Sequence, residues 1–399
     1  MFTEIKSCRI CEGNDLKEVL NLGNLYLTGI FPSPGEEINK SPLVLVRCNN
    51  CGLIQLKHTY NLTEMYGKDY GYHSDLNSSM VKHLKELALY IESRVKICPL
   101  DIVLDIGSND ATFLKQFKRG IKVGIDPTAE KFSYGYEEIQ GFSEFFPSEN
   151  LNKFLSGRKA KVITSIACFY DLEKPVEFAR EIEKILASDG IWVTEQSYLP
   201  SMIKNLAYDT ICHEHLEYYG LRQIKEITYR AGLKIIDVTF DNTNGGSFKV
   251  VISKANSSFK ANESLIDTIL YFEEKWNTES IFEQFKTDVF NHREKLRSLL
   301  VNLKSQGKNI SGYGASTKGN VLLQFCNITP SQIDNIVEVN PDKFGKVTPG
   351  SNIPIIEENG SKEIDYFFVL PWHFKENILY RNRDRKYKFI FPLPGIEVV

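Results

Sequence analysis

The chain has no apolar run long enough to cross a membrane and no marked excess of charge of either sign. Of its 399 residues, 42% are hydrophobic and 25% are charged, which is ordinary for a soluble globular protein. The net charge of −3 at pH 7 provides no basic surface for nucleic acid or an anionic membrane. We therefore expect neither nucleic acid nor a membrane as a partner.

The first residues, from Met1 to Glu4, do not have the pattern of a signal peptide. For a chain without an export signal, the eight cysteines suggest metal binding or thiol chemistry and not disulfides. The sequence therefore predicts a cytoplasmic protein.

Four of the eight cysteines form two C-x-x-C pairs, Cys8 with Cys11 and Cys48 with Cys51. Two such turns can close a tetrahedron of thiolates around Zn²⁺ and leave no open position, so the metal would be structural. The alternatives are two unrelated thiol pairs, or a zinc ribbon that binds nucleic acid. Scattered basic residues disfavour the ribbon. We assign residues 1–75 to a zinc-binding domain.

One strand–turn–strand unit organises the middle of the chain. The pattern predicts a buried strand over Ile102–Ile106, a tight turn at Gly107, a helix over Ala111–Phe117, and a strand over Lys122–Ile125 that ends in Asp126. Such a unit suits the adenosine part of a nucleotide, because the final acid can accept bonds from both ribose hydroxyls. The turn has one glycine where a dinucleotide fingerprint has three, which favours a ligand without pyrophosphate.

Further strands alternate with helices, which implies an α/β fold with a doubly wound sheet. The last two central strands, at 234–240 and 248–253, are expected to be antiparallel because a short Asn- and Gly-rich segment joins them. We assign residues 76–258 to the central domain, 259–308 to a helical connector, and 309–399 to a C-terminal domain that starts a second βαβ unit.

The segment from Tyr208 to Tyr219 contains His213, Glu214 and His215. The histidines lack the i, i+4 spacing of a helical zinc motif, so a general base is favoured over a metal site. A histidine that is buried in the core is a third interpretation. Four tyrosines between 60 and 72 could line a polar site or pack between domains.

The C-terminal domain opens with a G-x-G-A-S-T-K-G turn over residues 312–319. Backbone N–H groups at the start of a helix, together with Lys318, favour a phosphate group. A bound NAD and a tight turn without a ligand are the alternatives.

Six short stretches, in this order, resemble one family across nearly the whole chain: 8–11, 48–56, 69–74, 212–215, 245–247 and 313–320. In addition, the D-I-G-S-N-D turn resembles the motifs of class I S-adenosylmethionine-dependent methyltransferases. The family is that of the S-adenosylmethionine-dependent C-methyltransferases that act on nucleotide-linked keto-deoxysugars. The resemblance implies a small N-terminal zinc-binding domain, a class I methyltransferase Rossmann-like central domain, and a C-terminal Rossmann-like domain that binds substrate.

The resemblance also implies roles for individual residues. Catalysis falls on His215 as the base, with Glu214 beside it and Tyr70 and Tyr72 as donors. S-adenosylmethionine would be bound by Asp105, Gly107, Ser108, Asn109, Asp126 and Pro127, and Zn²⁺ by the four paired cysteines. The substrate would be bound by Cys212, His213, Tyr218, Tyr313, Gly314, Ala315, Ser316, Lys318 and Asn320.

The sequence departs from the family at two positions. Cys212 stands where a tyrosine is common, and Phe169-Tyr170-Asp171 occupies a region where a histidine is expected. The sugar and the methylated carbon are therefore open. A nicotinamide-dependent sugar reductase or epimerase, an O-methyltransferase, and a non-catalytic scaffold are the competing functions. We expect a monomer or a weak homo-oligomer.

Overall fold

The computed structural model describes residues 2–61, 65, 72–358 and 363–399. The N-terminal part forms a four-stranded antiparallel sheet and a separate two-stranded ribbon. The sheet has the order β11-β4-β3-β2, and the ribbon pairs β1 with β5. The strands are β1 (Phe2–Glu4), β2 (Leu16–Tyr26), β3 (Lys40–Cys48), β4 (Ile54–Leu56), β5 (His58–Tyr60) and β11 (Glu217–Tyr218).

The central sheet has seven strands in the order β12-β13-β10-β9-β6-β7-β8. Only β13 is antiparallel to its neighbours, which confirms the expected antiparallel pair and the doubly wound class. The strands are β6 (Ile102–Ile106), β7 (Ile121–Ile125), β8 (Gln140–Phe142), β9 (Ala160–Ile166), β10 (Leu186–Ser197), β12 (Leu233–Asp241) and β13 (Ser247–Lys254).

Five helices accompany this sheet, and several bury an apolar stripe against it. In the first helix, for example, Leu84, Leu87 and Ile91 lie on the buried face, as the helical spacing predicts. The helices are α1 (Ser78–Arg94), α2 (Glu149–Leu155), α3 (Pro175–Ile185), α4 (Leu199–Lys204) and α5 (Leu221–Arg230).

The predicted helix over Ala111–Phe117 is wrong. Only a single 3₁₀ turn, Leu114–Gln116, forms there. The φ angles of Asn109 and Ala111 are +47° and +59°, so the backbone is left-handed where the helix should begin. The turn after Gly107 is therefore irregular, and no α-helix follows it directly.

The connector consists of two helices, α6 (Glu263–Glu273) and α7 (Glu279–Ser305), where the sequence predicted one. The break contains Asn277, whose side chain donates to the carbonyl of Gly52 (2.8 Å) and accepts from Arg47 (2.7 Å). The break between the two helices thus lies where Asn277 contacts Arg47 and Gly52, which flank the second cysteine pair.

The C-terminal sheet has the order β16-β15-β14-β17-β18-β19, parallel except for its last strand. No described helix is both long and apolar enough to span a membrane. The elements are β14 (Ile310–Tyr313), α8 (Thr317–Phe325), β15 (Ile336–Glu338), β16 (Ile355–Glu357), β17 (Tyr366–Val369), α9 (Lys375–Arg381), β18 (Lys388–Phe391) and β19 (Glu397–Val398).

Candidate active site

The turn after β6 approaches its neighbours so closely that it requires glycine. Gly107 has a φ of +75°, and its N–H donates to the carbonyl of Ile125 (2.9 Å). A Cβ at this position would lie 3.0 Å from both the Cβ and the Sγ of Cys168. Backbone conformation and space therefore both exclude a side chain here.

Asp126, at the end of β7, holds this turn in place. One carboxylate oxygen accepts from the backbone N–H of Asn109 (2.9 Å). The other accepts from the N–H and the hydroxyl of Thr128 (2.7 and 2.5 Å). The structure thus brings the predicted acid and the predicted turn together, at the edge where the carboxyl ends of β6 and β7 meet.

Asn109 also connects the turn to the segment that precedes α1. Its side-chain amide donates to the carbonyl of Tyr72 (3.1 Å), and its side-chain oxygen accepts from the N–H of Ser74 (3.1 Å). The next residue, Asp110, accepts from the N–H of Asp75 (2.9 Å). Residues 72–75 therefore form one wall of the turn, which short-range patterns do not indicate.

Two other predicted residues face the interior. Asp105 is buried, accepts from the hydroxyl of Thr164 (2.6 Å), and has a pKa raised to about 7 by that burial. The hydroxyl of Ser108 lies 2.8 Å from the hydroxyl of Tyr136, which donates to the carbonyl of Asn109 (2.7 Å). Tyr136 braces the turn from behind, and sequence reasoning missed it. Pro127, the last predicted residue of this group, follows Asp126 directly.

The four paired cysteines form one cluster, and their sulfur atoms all lie within 4.8 Å of one another. The Sγ atoms of Cys8 and Cys51 are 3.6 Å apart, and those of Cys11 and Cys48 are 3.5 Å apart. Zn–S bonds of about 2.3 Å in a tetrahedron place sulfurs about 3.8 Å apart. The donor set and its spacing therefore fit Zn²⁺ with no open position.

A second cluster brings together His83, Glu195 and Asp241. The Nε2 of His83 lies 2.5 Å from Glu195, and the ammonium of Lys249 lies 3.7 Å from Glu195 and 3.8 Å from Asp241. Because a lysine already supplies a cation to both carboxylates, the cluster is an ion-pair network that fastens α1 to the central sheet.

His213 lies in the interior, between the N-terminal sheet and the segment that contains it. It has no exposed surface, its Nε2 donates to the carbonyl of Ser41 (3.2 Å), and its Nδ1 lies 3.4 Å from the hydroxyl of Thr28. Burial lowers its pKa to about 4, so the ring is neutral. Both ring nitrogens thus have contacts inside the protein, and the assignment of His213 to substrate binding stays a prediction.

His215 differs from His213 in having one free nitrogen. Its Nδ1 donates to the carbonyl of Thr210 (2.8 Å), and no described residue bonds its Nε2. Burial and then the charge of Lys318 lower its pKa to about 3. The ring packs edge-on against Tyr170 (4.3 Å between centroids) and lines a cavity of about 10 Å³, the size of one water molecule. A neutral imidazole with a free Nε2 can accept a proton.

Glu214 packs against residues of the N-terminal domain. One carboxyl oxygen accepts from the hydroxyl of Thr28 (3.4 Å). The other lies next to Gly29, 2.1 Å from where a Cβ of that residue would be. Burial raises its pKa. Asn320, in α8, donates to the carbonyl of Thr28 (2.8 Å), so residues 28–29 lie between Glu214 and the C-terminal domain.

Several polar groups of the C-terminal turn, which was predicted to bind a phosphate, form hydrogen bonds within the protein. The N–H of Ala315 donates to Glu338 (2.7 Å), and the ammonium of Lys343 donates to the carbonyl of Ala315 (2.8 Å). Ser316 caps α8 by accepting from the N–H of Gly319 (3.0 Å). Gly314, with a φ of +75°, donates to the carbonyl of Val337 (2.8 Å). The assignment of Ala315 and its neighbours to substrate binding stays a prediction.

The other substrate-binding predictions also meet contacts inside the protein. Cys212 and Asn320 have no exposed surface, and Tyr218 is buried with its hydroxyl donating to the carbonyl of Thr210 (3.4 Å). These three assignments stay predictions. Tyr313 is half-buried and packs edge-on against Phe367. Tyr72 is 47% exposed, and Tyr70 lies outside the described residues.

Sequence reasoning missed three residues that the fold places beside Lys318. Asp209 accepts from the indole N–H of Trp372 (2.7 Å), and His373 follows that tryptophan. The ammonium of Lys318 donates to the carbonyl of Asn244 (3.3 Å), in the loop between β12 and β13. The polar residues concentrated at 208–219 are a signal that could have identified Asp209, whereas no local pattern indicates residues 372–373.

Three family models match consecutive parts of the chain. Residues 8–66 match the model described as "Putative zinc binding domain", residues 72–238 match "Methyltransferase domain", and residues 242–394 match "C-methyltransferase C-terminal domain". Together they span nearly all of the sequence in the order of its three sheets.

A curated relative extends this similarity to full length. The chain is 26% identical over 411 aligned residues to the C-methyltransferase NovU of Streptomyces niveus, and the alignment covers 99% of this chain and 97% of NovU. Among solved structures, the CcbJ methyltransferase from Streptomyces caelestis is 12% identical, with 43% of this chain and 89% of CcbJ covered at a TM-score of 0.33. An S-adenosylmethionine-dependent methyltransferase from Clostridium acetobutylicum is 11% identical, with 44% and 92% covered at a TM-score of 0.35.

Proposed function

We propose that this chain, which belongs to the S-adenosylmethionine-dependent C-methyltransferases with an N-terminal zinc-binding domain, methylates a carbon atom of a nucleotide-linked keto-deoxysugar. The name of the full-length relative supports transfer to carbon, and the motif order supports the sugar. Zn²⁺ has a structural part, because four thiolates leave it no open position.

The observation that carries this proposal is the state of His215. Carbon is a poor nucleophile until a proton beside a carbonyl group is removed, and His215 is neutral with a free Nε2. The imidazole would take that proton, and the resulting enolate carbon would attack the sulfonium methyl group. S-adenosylmethionine, when bound, supplies that activated methyl group without a metal ion.

The two reactants would be held from different domains. Asp126, Asn109 and the turn at Gly107 offer an acid and close backbone approach for the adenosine part. The nucleotide sugar would lie in the cleft between the central and C-terminal domains, where Lys318 crosses from one to the other. Buried residues beside this cleft, such as Cys212 and His213, would hold its walls in position.

The test is incubation with S-adenosylmethionine and a panel of nucleoside-diphosphate-linked 4-keto-6-deoxysugars. The expected result is a mass gain of one methylene unit, together with enzyme-dependent exchange of one sugar C–H proton in deuterated water. A mass gain without any exchange, in conditions where the proton can return, would indicate O-methylation and overturn the proposal.

The nicotinamide-dependent alternative finds no comparable support. In a dinucleotide site, the acid after the second strand binds the ribose hydroxyls. Here that acid, Glu338, accepts from the N–H groups of Ala315, Val339 and Asn340 (2.7, 2.7 and 3.0 Å). Asp126 also accepts bonds within the protein, but Glu338 is in addition paired with the ammonium of Lys343 (3.8 Å). Titration with NAD, followed at the nicotinamide absorption band, should accordingly give no binding.

A further inference from the structure

Lys318, in the first turn of α8, is a cation that lies in the field of Asp209 but forms no ion pair within the described part of the chain. Its ammonium donates to the carbonyl of Asn244 at 3.3 Å, a long bond, and forms no ion pair with any described carboxylate. Lys318 is only partly exposed, and burial lowers its pKa, with Asp209 and Cys212 acting against that shift. A partly desolvated ammonium with one weak bond retains two N–H donors for another acceptor.

Two buried polar atoms near Lys318 are also without partners. The Oδ1 atom of Asp209 and the Nδ1 atom of His373 are both buried, and no described group bonds either one. Asp209 is only 1% exposed, and its other oxygen is fixed by the indole of Trp372 at 2.7 Å. Thirteen buried side-chain polar atoms of the described residues have no hydrogen-bond partner, and these two are distinguished by the charge of Lys318, which acts on both residues and favours a polar ligand there.

The base faces the same region. The charge of Lys318 acts on both His215 and His373, where it adds to burial in lowering the pKa of each ring. The first turn of α8 reaches the segment of His215 through Thr28, which bonds both Asn320 and Glu214 (2.8 and 3.4 Å). A second link runs through Asp209, whose charge acts on Lys318 and whose neighbour Thr210 accepts a hydrogen bond from His215 (2.8 Å).

We propose that Lys318 is a catalytic residue that donates a hydrogen bond to the ketone oxygen of the substrate and stabilises the enolate. This inference depends on the proposed function. His215 Nε2 takes the proton from the carbon beside the ketone, and the C–H electron pair becomes the enolate with its charge on the oxygen that Lys318 bonds. The carbon–carbon bond then forms as the carbon–sulfur bond breaks, the carbonyl is restored, and the imidazolium releases its proton to water.

This assignment adds a charged donor to the tyrosines that the family resemblance favoured, of which Tyr70 lies outside the described residues. The hydroxyl of Tyr218 is already bonded to the carbonyl of Thr210, and the side chain of Tyr72 is 47% exposed. A cation is also the stronger group, because a charge-assisted bond in a water-poor site stabilises a developing oxyanion more than a neutral donor does. The lysine comes from the C-terminal domain, so the catalytic set is complete only when that domain is in place.

The experiment compares Lys318→Gln and Lys318→Arg with the native enzyme. Lys318→Gln keeps a donor for Asn244 but loses the charge, so kcat should fall about 100-fold or more, with KM changed only a few-fold. Proton exchange at the sugar carbon, measured at saturating nucleotide sugar, should fall by the same factor. Lys318→Arg should retain part of both rates, because the charge remains.

The pH profile gives an independent readout. Lys318 must be protonated to act, so kcat should decline as the pH rises through its lowered pKa. In Lys318→Arg this alkaline decline should move to higher pH, because a guanidinium stays charged up to about pH 12. The matched control is Lys308→Gln, which removes a half-buried lysine that pairs with Asp365 (3.1 Å) in the same domain, and it should leave rate and profile unchanged.

The outcomes separate this inference from the proposed function. If native enzyme does not methylate any nucleotide keto-sugar, the proposed function fails first. If it does, and Lys318→Gln raises KM while kcat and the saturated exchange rate stay native, Lys318 binds the nucleotide phosphates and the inference is overturned. Native kinetics in Lys318→Gln would also overturn it. Retained zinc and native S-adenosylmethionine affinity would establish that the variant is folded.

Discussion

The Nδ1 atom of His215 lies 2.8 Å from the carbonyl oxygen of Thr210, and this bond fixes the tautomer of the ring. A carbonyl only accepts, so Nδ1 carries the proton and Nε2 carries the lone pair. The base proposed for this enzyme is thus set by the backbone of a residue five positions earlier in the chain.

Substitution of His215 by Asn should remove the proton acceptor and lower kcat by about 10²- to 10⁴-fold. Affinity for S-adenosylmethionine should stay within about two-fold, because no predicted cofactor residue contacts this ring, and calorimetry can measure it. The second measurement is proton exchange at the sugar carbon in deuterated water. Exchange at the native rate in His215→Asn would assign the base elsewhere.

The pH dependence of kcat/KM should have no acid limb in the ordinary range of a histidine. A base works when it is deprotonated, and burial together with Lys318 lowers the pKa of His215 to about 3. Activity should therefore be level as the pH falls from about 7.5 to about 5.5, in contrast to a histidine near pH 6.5. An inflection near pH 6.5 that disappears in His215→Asn would contradict the buried, neutral state of this ring.

Local patterns in the sequence predicted the elements whose causes are local. The strand at 102–106, the glycine turn and Asp126 follow from apolar spacing and turn chemistry, and the structure brings them together. The helix expected at Ala111 failed because that residue and Asn109 adopt left-handed conformations, and the side chain of Asn109 bonds residues 72–74. That constraint comes from a part of the chain 35 residues away.

The candidate site shows the same limit. The H-E-H motif indicated this segment, but its spacing could not tell that His213 has contacts at both ring nitrogens whereas His215 is bonded through Nδ1. The two differ because β11 joins the N-terminal sheet next to β4, a pairing between residues more than 160 positions apart. Likewise, the pattern around Lys318 predicted a phosphate at its own turn but could not indicate that its ammonium reaches the carbonyl of Asn244, in the loop between β12 and β13.

Removal of zinc should affect catalysis as well as stability, because β11 lies between the cysteine domain and His215. Cys48→Ser removes one of four ligands, so zinc content, melting temperature and kcat should fall together. The matched control is Cys98→Ser, which alters an exposed cysteine outside the cluster and should change none of the three. Metal analysis should give one zinc per chain. Full activity in zinc-free protein would show that the domain acts independently of the site.

His213 should make stability depend on pH in a defined direction. Burial lowers its pKa in the folded protein to about 4, whereas the unfolded chain takes up that proton near the ordinary value of about 6.5. Its contribution to the free energy of unfolding is therefore present above about pH 6.5 and falls by about 1.4 kcal/mol per pH unit toward pH 4.

His213→Gln removes this titration, although it also lowers stability at neutral pH. Urea unfolding at pH 7 and at pH 5 should show a smaller loss on acidification in the variant than in the native protein. The comparison between the two proteins cancels the titration of other groups, such as Glu214. An equal loss in both would show that His213 is protonated in the folded state.

Gly29 should tolerate no side chain, because Glu214 occupies the space where a Cβ would be. A Cβ at Gly29 would lie 2.1 Å from an oxygen of Glu214, which is itself buried beside His215. Gly29→Ala should therefore cost about 1–3 kcal/mol of unfolding free energy. It should also lower kcat, since the displaced carboxyl group adjoins the base.

Gly395→Ala is the control, because nothing lies within 4 Å of a Cβ at that exposed position. The double variant with Gly29→Ala and Glu214→Asp shortens the clashing side chain by one methylene group. If the clash causes the loss, the double variant should be more stable than the sum of the two single changes predicts, with a coupling energy of about 0.5–3 kcal/mol. If the changes in unfolding free energy of the two single variants simply add in the double variant, Glu214 moves away freely, and Thr28 and Gly29 do not fix its position.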